Sequence, residues 1–300
     1  IFVKGNLEFK SLNLFDKDLS VENKEIHMQE FINKLYESVD LESFDVIHTH
    51  YWLSGLVGKE IANKFNIPLV YTSHSLGIFL DGYNKERVDC EKIIMTSADV
   101  VTTSSLFEED LILKNYNADS NKMKQITPGV DEEIFTPDST IKRENIFLSI
   151  GRIQEQKGQI ETIKFLDNFR KVENNFLCYF IGGPSGKSGR EYLEELIQTV
   201  QDLNLESHIE FLDNLPQTEI RDLLNKSKIL IHTSKFETFG LVAAEANAMG
   251  VPVLTTNSGS LLEIVENNKN GYYSDNLIDG NVNNFVKELL NNNDKFDEIM

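Results

Sequence analysis

The chain has 300 residues, of which 40% are hydrophobic and 26% charged, and a formal net charge of −19. That length fits one large domain or two of moderate size with sizeable cores. The acidic balance argues against nucleic acid and anionic membrane surfaces as partners, since both need a basic footprint, but leaves open a phosphate ligand, which needs only a few local donors. Cys90 and Cys178 lie far apart and match no metal or redox spacing, so a reducing cytoplasm is the expected compartment. No apolar run reaches membrane-spanning length, and the N-terminal stretch has no signal-peptide core. The chain opens at Ile1 in a strand-like segment and stops in a helical pattern at residues 294–300. Segments are therefore expected to be missing at both ends.

In chain order, short strands are expected at residues 1–4 and 7–14. A polar loop follows, whose Asp16 and Asp18 succeed no buried strand and are not expected to hold a metal. Met28, Phe31, Ile32 and Leu35 recur at helical spacing within residues 24–39. A buried strand at 45–48 runs into His48-Thr49-His50-Tyr51-Trp52-Leu53-Ser54-Gly55, followed by a helix at 56–65 and a strand at 68–72 ending in Ser73-His74-Ser75. A helix at 85–97, a strand at 100–103 and a helix at 106–114 lead to residues 123–131. After a polar stretch at 137–145 the pattern restarts. Strand 146–150 meets Gly151-Arg152 and the turn Gln156-Lys157-Gly158, and helix 159–170 leads to strand 176–181 and Gly182-Gly183-Pro184-Ser185-Gly186. Helix 190–203, strand 209–212, helix 218–226 and strand 229–232 complete the alternation. Short apolar strands alternating with amphipathic helices specify an α/β fold with parallel, doubly wound sheets. The restart divides the chain into residues 1–139 and 140–300.

The stretch from Phe236 to Gly250 carries Glu237 before Gly240, then a small-residue helix with Glu245, and precedes a strand at 251–255. A glycine opening a helix is a ready anion site, because the first backbone N–H groups lack intrahelical partners and the helix dipole is positive there. Carboxylates on both sides of that site suit a ligand with hydroxyl groups on both sides of its phosphate, as in a nucleotide sugar; solvated glutamates on a crossover helix are the alternative. Arg152 and Lys157, set on a glycine-bounded loop, suit a diphosphate whose charge grows as a bond breaks, or a solvated loop paired with nearby acids. Gly182 and Gly183 would let a ligand approach the backbone, although the spacing is not that of a P-loop. His48, His50 and His74 admit metal binding, proton transfer or hydrogen bonding to a sugar. A backbone-satisfied buried histidine is expected for His48, and His74 is expected to face a ligand. Arg87 and Glu91 form an i, i+4 pair, by default on a helix surface, the sharper alternative being an arginine that reaches a substrate phosphate. His48, His50, His74, Arg152, Gly182, Gly183, Glu237 and Gly240 all fall at predicted strand ends, where ligands bind in open parallel sheets, so one cleft between the two halves is expected.

These motifs together resemble the family-four glycosyltransferases of the GT-B fold, retaining enzymes with two Rossmann-like doubly wound domains facing across a cleft. The resemblance runs over about residues 45–275 and is most specific from Glu237 to Glu245, which looks like that family's pair of glutamates. Gly151-Arg152 with Lys157, and Pro128-Gly129-Val130-Asp131 with Phe135 and Pro137, fit it as well. The histidine-rich stretch, Ser73-His74-Ser75 and the glycine turn look most like the branch acting on sugar phosphates, which includes D-inositol-3-phosphate glycosyltransferases and the sucrose-phosphate and mannosylfructose-phosphate synthases. The resemblance implies Arg152 and Lys157 on the donor diphosphate, Glu237 on the donor sugar and Glu245 on the ribose. It also implies Gly151 and Gly183, with the backbone of Phe239, Gly240, Leu241 and Val242, along the donor. His74 would stand beside the anomeric centre, making His74, Glu237, Arg152 and Lys157 the catalytic set. Tyr51, Ser75 and Arg87, with Lys24 after a gap, would hold an acceptor phosphate. The family's first strand, its glycine loop and the C-terminal helix that crosses back are expected to be among the missing segments. No metal and no cofactor are expected, only a nucleotide-diphosphate sugar, UDP-linked in preference to GDP- or ADP-linked, and a small hydroxyl acceptor. Two other readings remain: a nucleotide-sugar epimerase on the same fold, or a non-catalytic sugar-nucleotide-binding module. Oligomeric state is not legible.

Overall fold

The computed structural model describes residues 28–79 and 84–291, together with the backbone of residues 2–4 and 7–9. It divides into two compact units, Ile1–Ile126 and Thr127–Met300.

In the first unit, β1 (Phe2–Lys4) and β2 (Leu7–Phe9) pair antiparallel. Four parallel strands follow in sequence order: β3 (Ile47–His50), β4 (Leu69–Thr72), β5 (Val100–Thr103) and β6 (Met123–Gln125). They alternate with α2 (Trp52–Phe65), α3 (Lys85–Ser97) and α4 (Leu106–Asn115), and α1 (Met28–Ser38) precedes them. Local chemistry sets the helix limits. Asn84 caps α3 by accepting from the Arg87 amide at 3.0 Å, and α2 stops at Asn66 in the left-handed conformation that asparagine tolerates. Tyr71, Ile94, Met95, Val101 and Ile112 form the center of the core.

Among the described residues the second unit has six parallel strands: β7 (Ile146–Ile150), β8 (Leu177–Ile181), β9 (Ile209–Leu212), β10 (Ile229–His232), β11 (Val253–Thr256) and β12 (Gly271–Ser274). Their order is β12-β11-β10-β7-β8-β9, the doubly wound arrangement in which the sheet grows one way from β7 and then the other way from β10. The helices are α5 (Gln159–Phe169), α6 (Gly186–Asp202), α7 (Gln217–Lys226), α8 (Leu241–Ala248), α9 (Leu261–Ile264) and α10 (Gly280–Asn291). Side chains alternate across the sheet, as the pleat requires. Phe147, Ile229 and Ile231 join one core with Phe165, Phe169 and Val286, while Leu148 and Leu230 join the other with Ala243 and Val253. Coverage on both faces explains why these strands read as continuous apolar runs.

Several limits differ from expectation. His50 lies within β3 rather than beyond it, because parallel pairing sets it opposite Thr72. Helix α2 begins at Trp52 and α6 at Gly186, both earlier than their apolar periodicity suggested. Residues 127–139 belong with the second unit, since Phe135, Val130 and Ile134 pack in the core around Leu148 and the Asp138 amide donates to Asn225 Oδ1 at 2.9 Å. The elements α9, β12 and α10 were not anticipated. Lys24, the Asp16/Asp18 loop and residues 294–300 lie outside the described residues. Among the described residues no helix is long and apolar enough to cross a membrane.

Candidate functional site

In the second unit the loops that leave β7 and β10 diverge from neighbouring strands, the position where open sheets bind ligands. They are laced together. The Lys235 amide donates to the Gln156 carbonyl at 2.8 Å, Thr233 Oγ1 to the Gly158 carbonyl at 2.8 Å, and Lys235 Nζ meets Glu155 Oε1 at 2.5 Å. Gly158 allows this approach: its φ is +67°, and a Cβ would stand 2.1 Å from the Thr233 carbonyl oxygen. We expect Gly158→Ala to cost about 2–4 kcal/mol, combining left-handed strain with the clash, as measured by urea unfolding. A cost below about 0.5 kcal/mol would mean the loops part freely.

This lacing brings Lys157 Nζ to 2.8 Å from Glu237 Oε2. His232, at the end of β10, reaches the same oxygen with Nε2 at 3.2 Å, and Ser234 Oγ lies 3.2 Å from that nitrogen. Beside a carboxylate, Nε2 must carry the proton and donate. Burial alone would raise the Glu237 pKa, but the His232 hydrogen bond and the charges of Lys157 and His232 outweigh it and pull the pKa down to about 2. Glu237 is thus a fixed anion at neutral pH. Both donors sit on Oε2, and Oε1 receives no hydrogen bond from the described residues.

Gly240 caps α8 with φ +91°, and a Cβ there would fall 2.5 Å from Leu261 Cδ2. The first intrahelical bond is donated by Ala243 to the Gly240 carbonyl at 2.9 Å, so the amides of Leu241 and Val242 point out of the helix end. Ser260 clamps this turn by donating from N and Oγ to the Glu237 carbonyl at 3.2 and 3.0 Å. Glu245 is 9% exposed, and burial raises its pKa to about 7; no described residue donates to its carboxylate. Arg152 is exposed, and among the described residues its guanidinium has no partner. Gly151 and Gly183 are joined through the paired loops after β7 and β8, where the Ile153 amide donates to the Gly183 carbonyl at 3.0 Å. The Gly183 amide is already engaged by Asn214 Oδ1 at 2.8 Å.

In the first unit the structure assembles Tyr51, Ser75 and Arg87. One guanidinium nitrogen of Arg87 donates to both the Ser75 carbonyl and Oγ at 2.8 Å, and the other to the Tyr51 hydroxyl at 3.3 Å. The Arg87–Glu91 pair is not on a helix surface. Its side chains are 4% and 0% exposed and 2.7 Å apart, because Glu91 also accepts from the Gly77 amide at 2.9 Å and so ties α3 to the loop after β4. Removing one partner of such a pair strands a buried charge. Arg87→Ala is therefore expected to lower stability by about 3–5 kcal/mol; a change within about 0.5 kcal/mol would show that Glu91 is relieved elsewhere.

The histidines bond to one another. His50 Nδ1 lies 2.8 Å from His74 Nε2, and His48 Nε2 lies 2.8 Å from Thr72 Oγ1, so His48 is exposed and held by a side chain instead of buried and held by backbone. Among the described residues no group of three or more His, Cys, Asp or Glu side chains is arranged to hold a metal ion. Sequence reasoning missed His232, Ser260, Glu91 as a loop anchor, and Glu108, which accepts from Ser73 Oγ at 2.5 Å and the Ser104 amide at 2.7 Å. Ser105 and Glu108 have capping-box spacing, the one signal that was present.

Comparison with known proteins agrees with this architecture. The family model described as "Glycosyl transferases group 1" matches residues 131–299, and that described as "Glycosyltransferase Family 4" matches residues 12–134. The D-inositol 3-phosphate glycosyltransferase of Corynebacterium glutamicum is 31% identical over 260 residues, covering 79% of this chain and 61% of that protein. That of Corynebacterium diphtheriae is 29% identical over 259 residues, covering 79% and 59%. The chain thus spans about three fifths of the length of these relatives. Among solved structures, sucrose-phosphate synthase from Thermosynechococcus elongatus superposes with a TM-score of 0.81 at 24% identity, covering 94% of this chain and 73% of that one. Anabaena HepE in complex with UDP-glucose gives 0.76 at 19% identity, covering 91% and 74%. At these identities the structural likeness speaks for the GT-B fold alone. The group 1 model spans more than half of the residues, and the chain belongs to the glycosyl transferases of group 1, with the two-unit GT-B architecture of that family.

Proposed function

We propose that this chain serves a retaining glycosyltransferase, working in the cytoplasm, that moves a hexose from a nucleoside diphosphate, UDP in preference to GDP or ADP, to a hydroxyl of a phosphorylated polyol or ketose. The observation that carries the reading is the Lys157–Glu237 pair at the switch point of the second unit, beside the amino end of α8. In this reading the α8 amides, Arg152 and Lys157 bind the diphosphate, Glu237 Oε1 accepts from a sugar hydroxyl, and Glu245 accepts from the ribose. The bond from the anomeric carbon to the phosphate oxygen breaks as the bond to the acceptor oxygen forms on the same face. The departing phosphate oxygen takes the acceptor proton, and the cations stabilise its developing charge. No protein nucleophile and no metal is then needed. The curated relatives, named for an inositol phosphate acceptor, and the grouping of Tyr51, Ser75 and Arg87 support a phosphate on the acceptor.

A thermal-shift screen with UDP-, GDP- and ADP-hexoses tests the donor, because a ligand that binds only the folded state raises its stability, by about 2.7 kcal/mol at a hundred times Kd. UDP release from UDP-glucose is then expected only when fructose 6-phosphate or inositol 3-phosphate is present. Donor consumption without acceptor would indicate an epimerase, and donor binding without turnover a binding module. Tyr51→Phe, which spares the Arg87–Glu91 pair, is expected to raise the acceptor KM several-fold and leave the donor KM unchanged.

A further inference from the structure

Histidine 74 is over-determined in its backbone and under-determined in its ring. Its φ of +57° lies in the left-handed region that non-glycine residues enter at a cost. Two buried groups hold it there. Ser73 donates to Glu108 at 2.5 Å on one side, and Ser75 accepts from Arg87 at 2.8 Å on the other. These bonds place the Cα of His74 and leave its imidazole free to turn and to shift its proton. What restrains the ring is His50, whose ring lies parallel to it within 29° at 5.0 Å and whose Nδ1 is 2.8 Å from His74 Nε2. His50 is itself placed by β3, paired with Thr72 on β4. His48 also lies against its ring, with a centroid separation of 4.2 Å, and its own Nε2 is tied to Thr72 Oγ1. The Thr72 and Thr102 hydroxyls in turn bond to each other.

A hydrogen bond between two imidazoles needs one donor and one acceptor. Partial burial, with His48 and His74 nearby, lowers the pKa of His50, so His50 is neutral at pH 7 and carries a single ring proton. If that proton sat on Nδ1, His74 would have to accept at Nε2, and the bond would break whenever His74 charged. With the His50 proton on Nε2, its Nδ1 accepts from His74 Nε2–H, and the bond survives in both charge states of His74. It also leaves both rings in the Nε2–H form that a free imidazole favours. We propose that His50 is a positioning residue for His74: by accepting from Nε2–H it keeps Nδ1 of His74 as a lone pair, ready to accept a hydrogen bond from a ligand hydroxyl. The functional half of this inference rests on His74 belonging to the transfer site proposed above; the tautomer half does not.

Imidazole ¹H–¹⁵N correlation spectra of the purified chain at neutral pH test it directly. Expected are a protonated Nε2 and a bare Nδ1 on His74. In His50→Phe, which keeps a ring but removes the acceptor, His74 should show averaging between tautomers. His50→Asn, whose amide oxygen can accept in place of Nδ1, should restore the parent pattern. A proton on Nδ1 of His74 in the parent, or an unchanged signature in His50→Phe, overturns the proposal. Turnover with UDP-glucose and fructose 6-phosphate adds the second reading. His50→Phe should lower kcat by about tenfold, short of the roughly hundredfold that loss of a positioned proton-handling group costs, without changing the donor KM. In a His74→Ala background it should cost nothing more; an equal further loss there overturns the coupling. Full turnover in His74→Ala would instead remove His74 from the transfer site, with the spectra still deciding the tautomer.

Discussion

Lys157→Ala is expected to reduce turnover by about a hundredfold to a thousandfold, equivalent to roughly 3–4 kcal/mol of transition-state stabilisation, as for the loss of one preorganised donor to a developing anion. Two effects combine. The proposed diphosphate loses a cation that is only partly exposed, where charge is poorly screened. The 2.8 Å contact to Glu237 Oε2 disappears as well, leaving that carboxylate to His232 alone and raising its pKa from about 2. Glu237→Ala should match the loss, because it removes both the proposed sugar contact and the group that aims Lys157. The double variant should then lose little more than either single one, since residues that act as a unit are not additive. Lys157→Arg keeps the charge but not the compact ammonium and should recover only part of the rate. Initial rates of UDP release with acceptor present decide the matter. Unchanged turnover in both alanine variants would sink the assignment of the transfer site to this loop pair.

Glu245→Gln is expected to do the opposite for stability. The folded-state pKa of about 7 lies above the ordinary value of 4.5, so the ionised carboxylate burdens the folded chain. The penalty is absent below pH 4.5 and complete above pH 7, and at 1.36 kcal/mol per unit it amounts to at most about 3 kcal/mol. At pH 8 the glutamine variant should unfold at higher urea than the parent, and the gain should vanish as the pH falls to 4.5. Donor affinity should fall in the same variant, because in the proposed role the ribose hydroxyls supply the hydrogen bonds this carboxylate lacks. In the proposed role Glu245 is a residue held against stability for function. Glu237 has the reverse sign. Its lowered pKa stabilises the fold above pH 4.5, and that contribution is lost as the pH falls towards 2. A Glu245→Gln chain less stable than its parent at pH 8 would show that the carboxylate is satisfied in the folded protein.

Much of the molecule could be read in advance because its signals are local. Alternating apolar strands and amphipathic helices predicted both sheets, and the helix expected at residues 85–97 coincides with α3 at its observed limits. The pair Glu237 and Glu245 and the helix-opening Gly240 were legible because a positive φ and a helix start leave chemical marks in the chain. Limits were less legible where long-range pairing overrides propensity. β3 extends to His50 because β4 lies beside it, and residues 127–139 turn to the second unit because Phe135 finds a pocket there.

The sequence by itself determined the fold class, the family and the residue types proposed to meet a nucleotide sugar, since these depend on spacing within single elements. Only the tertiary structure decided partnership. It buried Arg87 against Glu91 instead of leaving the pair on a surface, set His232 and Lys157 on one oxygen of Glu237, and brought His50 Nδ1 against His74 Nε2. Each of these contacts joins residues on different strands, loops or turns of a helix whose shared environment is created by packing. The charge of Glu237, the proton on His74 and the penalty at Glu245 depend on distance and burial, and those quantities exist only once the chain has folded.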